Sequence, residues 1–306
     1  MNKLFIVTDV EPDDFLAIIM VIEHFIKTKT SFKNLLICSS LMNANKKKLI
    51  IKKLLESYNI KDDIVFSGYN GLKPEYKQEG VNILTENERK IERIENEIYE
   101  QFVEFTTDSK IDILMLANPV TISNLLKGYE NNVNKIYIMG GHFNNNCSYN
   151  FSINMKATTE FFDWVKKFEK ECFIYSSHMF AANYNGYYNE KKFPDVIKTI
   201  FSSKKKSIEY FRKMMENWDS YMCEDKSMIS RIGKENIGRQ FAPADVICSI
   251  GYLFGDKIEL KKTKVNFKFE NTKIIYDENA DKSNIFQIEK IDIDEINKII
   301  IEYIKQ

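Results

Sequence analysis

Lys3-Leu-Phe-Ile-Val-Thr-Asp-Val-Glu-Pro-Asp-Asp-Phe-Leu-Ala-Ile18 joins a short apolar run to an acidic turn. The run from Leu4 to Val7 is rich in β-forming residues and predicts a buried strand, and Ala17 to Phe25 continues with helical periodicity. Between strand and helix lie four acidic residues, Asp9, Glu11, Asp13 and Asp14. Ligands of an open α/β sheet bind at the carboxyl ends of its strands, which is where this turn falls.

The crowding of the acidic turn predicts a bound cation. Carboxylates at short range raise one another's pKa unless a cation holds them, and a hard divalent metal ion prefers oxygen ligands. The alternative is that Asp13 is a helix N-cap, with Pro12 marking the turn. One cap needs one acid and this turn has four. We therefore favour a site for a metal ion or for sugar hydroxyls over capping alone.

The rest of the chain alternates short apolar runs with helical segments, which predicts a parallel sheet with right-handed crossovers. Further predicted strands are Asn34 to Ser39, Ile64 to Gly68, Ile111 to Ala117, Lys135 to Met139, Cys172 to Ser176, Val265 to Phe269 and Asn284 to Ile288. Further predicted helices are Ala44 to Tyr58, Glu86 to Thr106, Ala157 to Phe168, Lys204 to Arg231, Val246 to Leu253 and Asp294 to Ile304. Predicted loops are Tyr69 to Thr85 and Asn144 to Ser152. No repeat or linker divides the sequence, so we expect a single α/β domain over residues 1–306, with a mostly parallel central sheet flanked by helices.

Composition excludes several classes of partner. Lys+Arg and Asp+Glu are balanced at 44 each, so no basic field attracts nucleic acid or an anionic membrane. The lysine clusters Lys46 to Lys48 and Lys204 to Lys206 are expected to be solvated surface. The five cysteines are scattered without a C-x-x-C pair, which supports neither a disulfide framework nor a zinc site. No apolar run approaches the roughly 20 residues of a membrane span, and we expect a cytoplasmic protein.

Five motifs, in order, resemble the calcium-dependent nucleoside hydrolases, the inosine-uridine preferring nucleoside N-ribohydrolase family. That family opens with Asp-x-Asp-Pro-Gly-x-Asp-Asp, and Val7-Thr-Asp-Val-Glu-Pro-Asp-Asp14 fits the register. Its Gly-Pro-Leu-Thr-Asn turn is similar to Asn118-Pro-Val-Thr-Ile122, and its Met-Gly-Gly strand end to Met139-Gly-Gly141. Its Glu-Phe-Asn-Ile segment is similar to Asn150-Phe-Ser-Ile153, and its late His-Asp pair resembles Ala244-Asp245. The resemblance covers essentially the whole chain and implies the nucleoside hydrolase fold, a Rossmann-like open α/β sheet.

The resemblance implies a calcium site and a general base. Asp9 would take a proton from a calcium-bound water, and the metal ligands would be Asp9, Asp14, Asp245 and the carbonyl oxygen of Ala117. Oxygen ligands of this kind suit Ca²⁺, and a carboxylate beside an activated water is a suitable base. A negative site also stabilises the oxocarbenium-like sugar that forms when a glycosidic bond breaks.

The resemblance further implies a nucleoside substrate and a homo-oligomer, since the family commonly forms dimers or tetramers. Asp13 and Asp245 would hold ribose hydroxyls. Asn144 would contact the 5′ end of the ribose, and Ser40, Asn150 and Ser152 occupy positions that contact the sugar. The positions that border the base pocket are Trp218, Tyr221 and Glu224, for which packing or solvated surface is the alternative.

Several positions depart from the family pattern. Val7 and Glu11 replace an acid and a glycine of the opening motif, and Asn150 and Ser152 replace a glutamate and an asparagine that hold the sugar. Ala244 stands where many members have the histidine that helps the base depart. His142 is one candidate for the missing acid, although a lone histidine at a strand end is also a common structural hydrogen bonder.

The absent histidine points to a modified base. A 7-deazapurine has a carbon where N7 would accept a proton, so a hydrolase for such a nucleoside, queuosine for example, would have no use for that acid. We therefore expect hydrolysis of a ribonucleoside to free base and ribose, in salvage of a base of this class. The alternatives are a catalytically altered relative that binds a nucleoside or sugar, and a hydrolase that acts on a nucleotide. A haloacid dehalogenase phosphatase would need Asp-x-Asp, and Glu11 stands at the second acid with no lysine or threonine motif in support.

Overall fold

The computed structural model describes residues 2–70, 81–90, 97–141, 147–176, 179, 188–222, 239–271, 273–277 and 280–305. Its strands are β1 Lys3–Thr8, β2 Leu35–Ser39, β3 Val65–Ser67, β4 Ile111–Met115, β5 Val133–Met139, β6 Glu171–Tyr175, β7 Leu260–Lys264, β8 Asn266–Glu270, β9 Lys273–Asp277 and β10 Ile285–Ile291. Its helices are α1 Pro12–Thr28, α2 Ala44–Ser57, α3 Glu86–Arg89, α4 Ile98–Thr106, α5 Val120–Leu125, α6 Tyr149–Ser152, α7 Met155–Lys167, α8 Pro194–Ser202, α9 Lys206–Met222, α10 Ala244–Phe254 and α11 Ile293–Lys305.

Eight of these strands form one sheet in the order β3-β2-β1-β4-β5-β6-β10-β7. All neighbours pair in parallel except β7, which lies antiparallel to β10 at the edge. β8 and β9 form a separate antiparallel hairpin. The predicted fold class, a mostly parallel central sheet flanked by helices, is confirmed, and the boundaries 1–306 of the domain stay a prediction.

The sheet is buried on both faces, as its apolar strands require. In β1, Leu4 and Ile6 join the core cluster beneath α1, α2 and α8 to α11, whereas Phe5 and Val7 join the cluster beneath α4, α5 and α7. The β8–β9 hairpin closes the second cluster, with Phe267 packed edge to face against Phe162 at 5.1 Å between ring centroids. Among the described helices, none is both long and apolar enough to cross a membrane.

Six predicted or missed elements differ from the structure. The segment predicted as one helix from Glu86 to Thr106 forms two, α3 and α4, and residues 91–96 between them lie outside the described residues. The strand predicted at Val265 to Phe269 belongs to the hairpin and not to the main sheet. The end of the loop predicted at Asn144 to Ser152 is the short helix α6, and α8, β7 and β9 were not predicted. β7 reads Leu-Lys-Lys-Thr-Lys and is mostly exposed; such lysines protect a sheet edge, and they also remove the apolar pattern that predicts a strand.

The packing of α10 on the sheet depends on a glycine. A Cβ atom at Gly251 would overlap the hydroxyl end of Tyr175, a fully buried side chain of β6. The helix can therefore lie this close to the sheet only while position 251 has no side chain. Because α10 also carries Asp245 at its start, this contact fixes the position of a candidate site residue.

We expect Gly251→Ala to lower the free energy of unfolding by about 1–3 kcal/mol, because overpacking outweighs the gain of about 1 kcal/mol from the better helix propensity of alanine. Urea unfolding of the variant measures this directly. Ser249→Ala on the same helix is the matched control: within the described residues its buried hydroxyl has no hydrogen-bond partner, so its removal should leave stability unchanged or slightly higher. A Gly251→Ala protein as stable as the control would show that the helix moves away from Tyr175 at no cost.

Candidate active site

The parallel register brings three chain segments together at one edge of the sheet. Thr8 pairs with Ser39 of β2, and Val7 pairs with Met115 of β4, so the residues that follow, Asp9, Ser40 and Ala117, are neighbours beyond the strand ends. The backbone ladder continues into this region, since the N–H of Ser40 donates to the carbonyl of Thr8 at 2.8 Å.

The acidic turn becomes the first turn of α1. Glu11 is the N-cap, and Pro12 begins the helix, so Asp13 and Asp14 lie at its amino end, where the helix dipole favours negative charge. Asp14 accepts two hydrogen bonds, from the hydroxyl of Thr8 at 2.5 Å and from the backbone N–H of Glu11 at 3.2 Å. Glu11 and Asp14 thus form a reciprocal capping box, and Asp13 is not the N-cap that the alternative interpretation proposed. Each carboxylate oxygen has a second lone pair, so Asp14 remains able to bind a cation.

Asp245 reaches the same place from the far end of the chain. It lies in the first turn of α10, which packs against α1, and its backbone N–H approaches Oδ2 of Asp13 at 3.5 Å. Asp13, Asp14 and Asp245 each offer a carboxylate oxygen, and these oxygens lie within 4.8 Å of one another. The side chain of Asp245 is 2% exposed, and within the described residues its Oδ1 has no hydrogen-bond partner. A buried carboxylate oxygen without a donor, beside two other carboxylates, fits a bound hard cation.

Burial and mutual repulsion dominate the electrostatics of this cluster. Burial raises the pKa of Asp13 to about 6. Burial also raises the pKa of Asp14 and of Asp245 well above the usual range, and the charges of the neighbouring aspartates raise both further. The pKa of Asp9 is raised by burial and lowered in part by the charge of Lys47. Asp9 is not one of the three carboxylates within 4.8 Å, but its charge acts on the other three.

Lys47 is a residue that the sequence analysis missed. We expected the lysine cluster to be solvated, yet Lys47 is only 5% exposed, and its positive charge lowers the pKa of both Asp9 and Asp14. The signal was in the spacing: Lys47, Ile50, Ile51 and Leu54 follow the i, i+3, i+4, i+7 pattern of a buried helix face, and all four are buried. A lysine on that stripe in the first turn of α2 lies near the strand ends.

The predicted sugar contacts on the described residues have protein partners. Ser40 is fully buried, and its hydroxyl lies 2.5 Å from that of Thr121. The side-chain amide of Asn150 donates to the carbonyl oxygen of Leu116 at 2.7 Å. These bonds turn both groups toward the protein in this structure, and their assignment to the sugar stays a prediction.

The remaining predicted residues divide into two groups. Ser152 and Trp218 are partly buried, and the hydroxyl of Ser152 donates to the carbonyl of Tyr149 at 3.2 Å. The residues that lie outside the described ones are His142, Asn144 and Glu224, together with the side chain of Tyr221. The loop predicted at Tyr69 to Thr85 is described only in part, where residues Val81–Ile83 form a turn of 3₁₀ helix and residues 71–80 lie outside.

Comparison with known proteins identifies the fold. No protein-family model and no curated protein matches the sequence. The structure is similar to an inosine-guanosine nucleoside hydrolase, with a TM-score of 0.70 and 14% identity over 99% of this chain and 98% of the other. A purine-preferring ribonucleoside hydrolase from Gardnerella vaginalis gives a TM-score of 0.65 and 13% identity over 99% and 98% of the two chains. The type III effector protein XopQ, complexed with adenosine diphosphate ribose, gives 0.68 and 11% over 98% and 90%. The chain has the nucleoside hydrolase fold.

The raised pKa values predict how stability depends on pH without metal. A carboxyl group whose pKa rises from 3.8 to about 6 on folding holds more protons folded than unfolded between those values, so stability falls as pH rises through that window. We expect added calcium to raise the temperature of the unfolding midpoint. The increase should be larger at about pH 7.5 than at about pH 5, because at the lower pH protons compete with calcium for the carboxylates. Differential scanning fluorimetry with calcium or chelator measures both effects. Asp13→Asn is the control, and its stability should depend less on pH than that of the wild type. A calcium effect on the unfolding midpoint that is absent or independent of pH would contradict the assignment of the aspartate cluster as a cation site.

The charge of Lys47 predicts an increase in metal affinity when it is removed. Lys47→Met deletes one positive charge near the cluster, and the lost repulsion should tighten calcium binding at least about tenfold. Isothermal titration calorimetry at about pH 8 measures the calcium affinity, because fewer protons compete with calcium for the carboxylates there than at lower pH. Lys46→Met, a change to the adjacent and partly exposed lysine, should leave the affinity unaltered. Equal affinities for the two variants would place the Lys47 ammonium too far from the cation to matter.

Proposed function

We propose that this protein is a metal-dependent ribonucleoside hydrolase that cleaves the N-glycosidic bond to free base and ribose. The observation that carries the proposal is the cluster of Asp13, Asp14 and Asp245 at the carboxyl end of the sheet, in the fold of the nucleoside hydrolases. Three buried carboxylates brought together from two helices, one with an oxygen that has no hydrogen-bond partner among the described residues, are expensive to keep without a function.

Oxygen ligands favour calcium for this site. Asp9, Asp14, Asp245 and the carbonyl oxygen of Ala117 would hold the ion. When bound, the ion would supply a water whose pKa is lowered toward neutrality. The nearby carboxylate of Asp9 would take the proton of that water as general base. Asp13 and Asp245 would accept hydrogen bonds from ribose hydroxyls, and the negative field of the cluster would stabilise the positive charge that develops at the anomeric carbon.

The leaving base is the part of the reaction for which the site offers least help. Ala244, adjacent to Asp245, provides no proton. Within the described residues the one histidine is His24, which lies about 15 Å further along α1 than Asp14 and packs against Tyr303 and Phe254. His142 remains the proposed proton donor if one is needed. A 7-deazapurine needs none at the N7 position, which supports a substrate of the queuosine class.

A second candidate function is binding or cleavage at the nucleotide level. The structure of XopQ, similar at a TM-score of 0.68, holds adenosine diphosphate ribose. In addition, the hydroxyl of Ser40 and the amide of Asn150 are engaged by protein groups and not open to a sugar. A catalytically altered relative that binds a ribosyl ligand would retain the cation site and lack turnover.

The test is a product assay on common and modified nucleosides, queuosine included, and on nucleotides and adenosine diphosphate ribose, each with calcium and with chelator. We expect calcium-dependent release of free base from a nucleoside, and Asp9→Asn should lower kcat by about 100-fold or more because the base is lost while an oxygen ligand remains. Asp112→Asn is the control: Asp112 is buried in β4 and bonded to Asn134 at 2.7 Å, away from the strand ends, so turnover should persist.

The outcomes separate the candidates. Calcium binding with no product from any compound would favour the catalytically altered relative that only binds a ribosyl ligand. Product from nucleotides alone would favour a hydrolase that acts at the nucleotide level. An Asp9→Asn protein with unchanged kcat would remove Asp9 from the role of general base.

A further inference from the structure

The Ala117 carbonyl lies in a segment that regular structure does not fix. Residues 116–119 connect the end of β4 at Met115 to the start of α5 at Val120. Pro119 has no N–H to donate, so this turn has one backbone donor fewer. The backbone N–H of Leu116 donates to the carbonyl of Val7 at 2.8 Å, and the carbonyl of Pro119 accepts from the N–H of Ser123 at 2.9 Å, so the two ends of the segment are fixed by backbone bonds. Between these two points, side chains supply further bonds to the turn.

Two buried asparagines supply those bonds in a reciprocal arrangement. The amide nitrogen of Asn150 donates to the carbonyl oxygen of Leu116 at 2.7 Å, and the amide nitrogen of Asn118 donates to the carbonyl oxygen of Asn150 at 2.6 Å. The peptide group before Ala117 and the side chain of the residue after it are therefore both tied to α6. Asn118 is fully buried and Asn150 is 5% exposed, so water does not compete for these bonds.

The hydrogen-bonding capacity of Asn118 is used in several directions. Its Oδ1 accepts from the backbone N–H of Val120 at 3.0 Å, an Asx turn that begins α5. Its amide also donates to the hydroxyl of Thr158 at 3.2 Å, and that hydroxyl in turn donates to the carbonyl of Phe151 at 2.9 Å. The turn is thus held by α5, α6 and α7 together. These partners also determine the orientation of the Asn118 side-chain amide.

We propose that Asn118 and Asn150 are positioning residues that fix the Ala117 carbonyl oxygen as a ligand of the cation site. The inference rests on the proposed function, in which that carbonyl is one of the metal ligands. Asp9 and Ala117 each stand two residues beyond the last pair of β1 and β4, Val7 with Met115, so the Ala117 carbonyl lies at the edge of the sheet where the carboxylates meet. The asparagine at position 150 then replaces a sugar contact by a support for the metal, which differs from the role implied by the family pattern.

The experiment compares calcium binding by Asn118→Ala and Asn150→Ala with binding by Asn132→Ala, using isothermal titration calorimetry. Asn132 is the matched control, since its amide also joins two backbone carbonyls, those of Thr106 and Ser109 at 2.8 and 3.1 Å, but it lies just before β5 at the opposite edge of the sheet. We expect the first two variants to bind calcium about 10 to 100-fold more weakly than the wild type, as loss of outer partners of a metal site does, and the control to bind within about twofold.

A thermal readout separates positioning from general stability. All three alanine variants should unfold at lower temperature without calcium, but the increase in Tm that calcium causes should shrink only for Asn118→Ala and Asn150→Ala. Thr158→Val, which removes one hydroxyl from beneath Asn118, is a milder change for use if an alanine variant does not fold, and it should weaken calcium binding less than Asn118→Ala does.

Calcium affinities of Asn118→Ala and Asn150→Ala equal to that of Asn132→Ala would overturn the positioning role while leaving the proposed hydrolase intact. A wild-type protein that binds no calcium would instead overturn the proposed function, and the positioning role with it.

Discussion

The repulsion among four buried aspartates is the constraint on which this structure depends. Raising the pKa of Asp13 from 3.8 to about 6 means that its ionisation costs roughly 3 kcal/mol more in the folded protein than in the unfolded chain, and the pKa values of Asp14 and Asp245 are also raised by burial and by neighbouring aspartates. Lys47 provides one compensating charge from the protein itself. One lysine cannot balance four carboxylates, so either protons or a multivalent cation must supply the rest. The choice between them depends on pH, which couples folding stability to occupancy of the site.

The fold brings these charges together by two separate means. The parallel pairing of β1 with β2 and β4 places Asp9, Ser40 and Ala117 side by side, and this depends only on local register. Asp245 arrives by the packing of α10 on α1, 232 residues from Asp13 along the chain. The second means is the more fragile, because it requires the close approach of α10 to β6 that Gly251 permits. The short turn between β1 and α1 is itself strained. Its residue Val10 is β-branched and has φ of 56°, a backbone conformation that such residues rarely adopt.

Sequence reasoning succeeded where a pattern is local. The apolar runs predicted β1, β2, β4, β5 and β6 and the acidic turn because strand periodicity and charge density are visible in a few residues. It did not predict the strand β7, because the lysines that protect this sheet edge remove the apolar pattern of a strand. It also predicted that Lys47 is solvated, because this buried residue lies within a cluster of three lysines. The bonds that join Asn118 to Asn150 were beyond its reach, since two asparagines 32 residues apart have no pattern that reveals a contact. Asp245 was found only through the family resemblance.

The two halves of the proposed reaction are supported unequally by this chain. The groups proposed to hold a cation and to take a proton, Asp9, Asp14 and Asp245, are all buried, and buried carboxylates without a function would only destabilise a protein. Ser40 and Asn150, two of the groups expected to contact the sugar, are bonded to protein groups, and the position expected to hold an acid is Ala244. In the proposed reaction, activation of water and departure of the base would depend on different parts of the structure. A change of sequence in the second part would leave the first unaltered, so that one cation site would also serve a leaving group that needs no proton at N7.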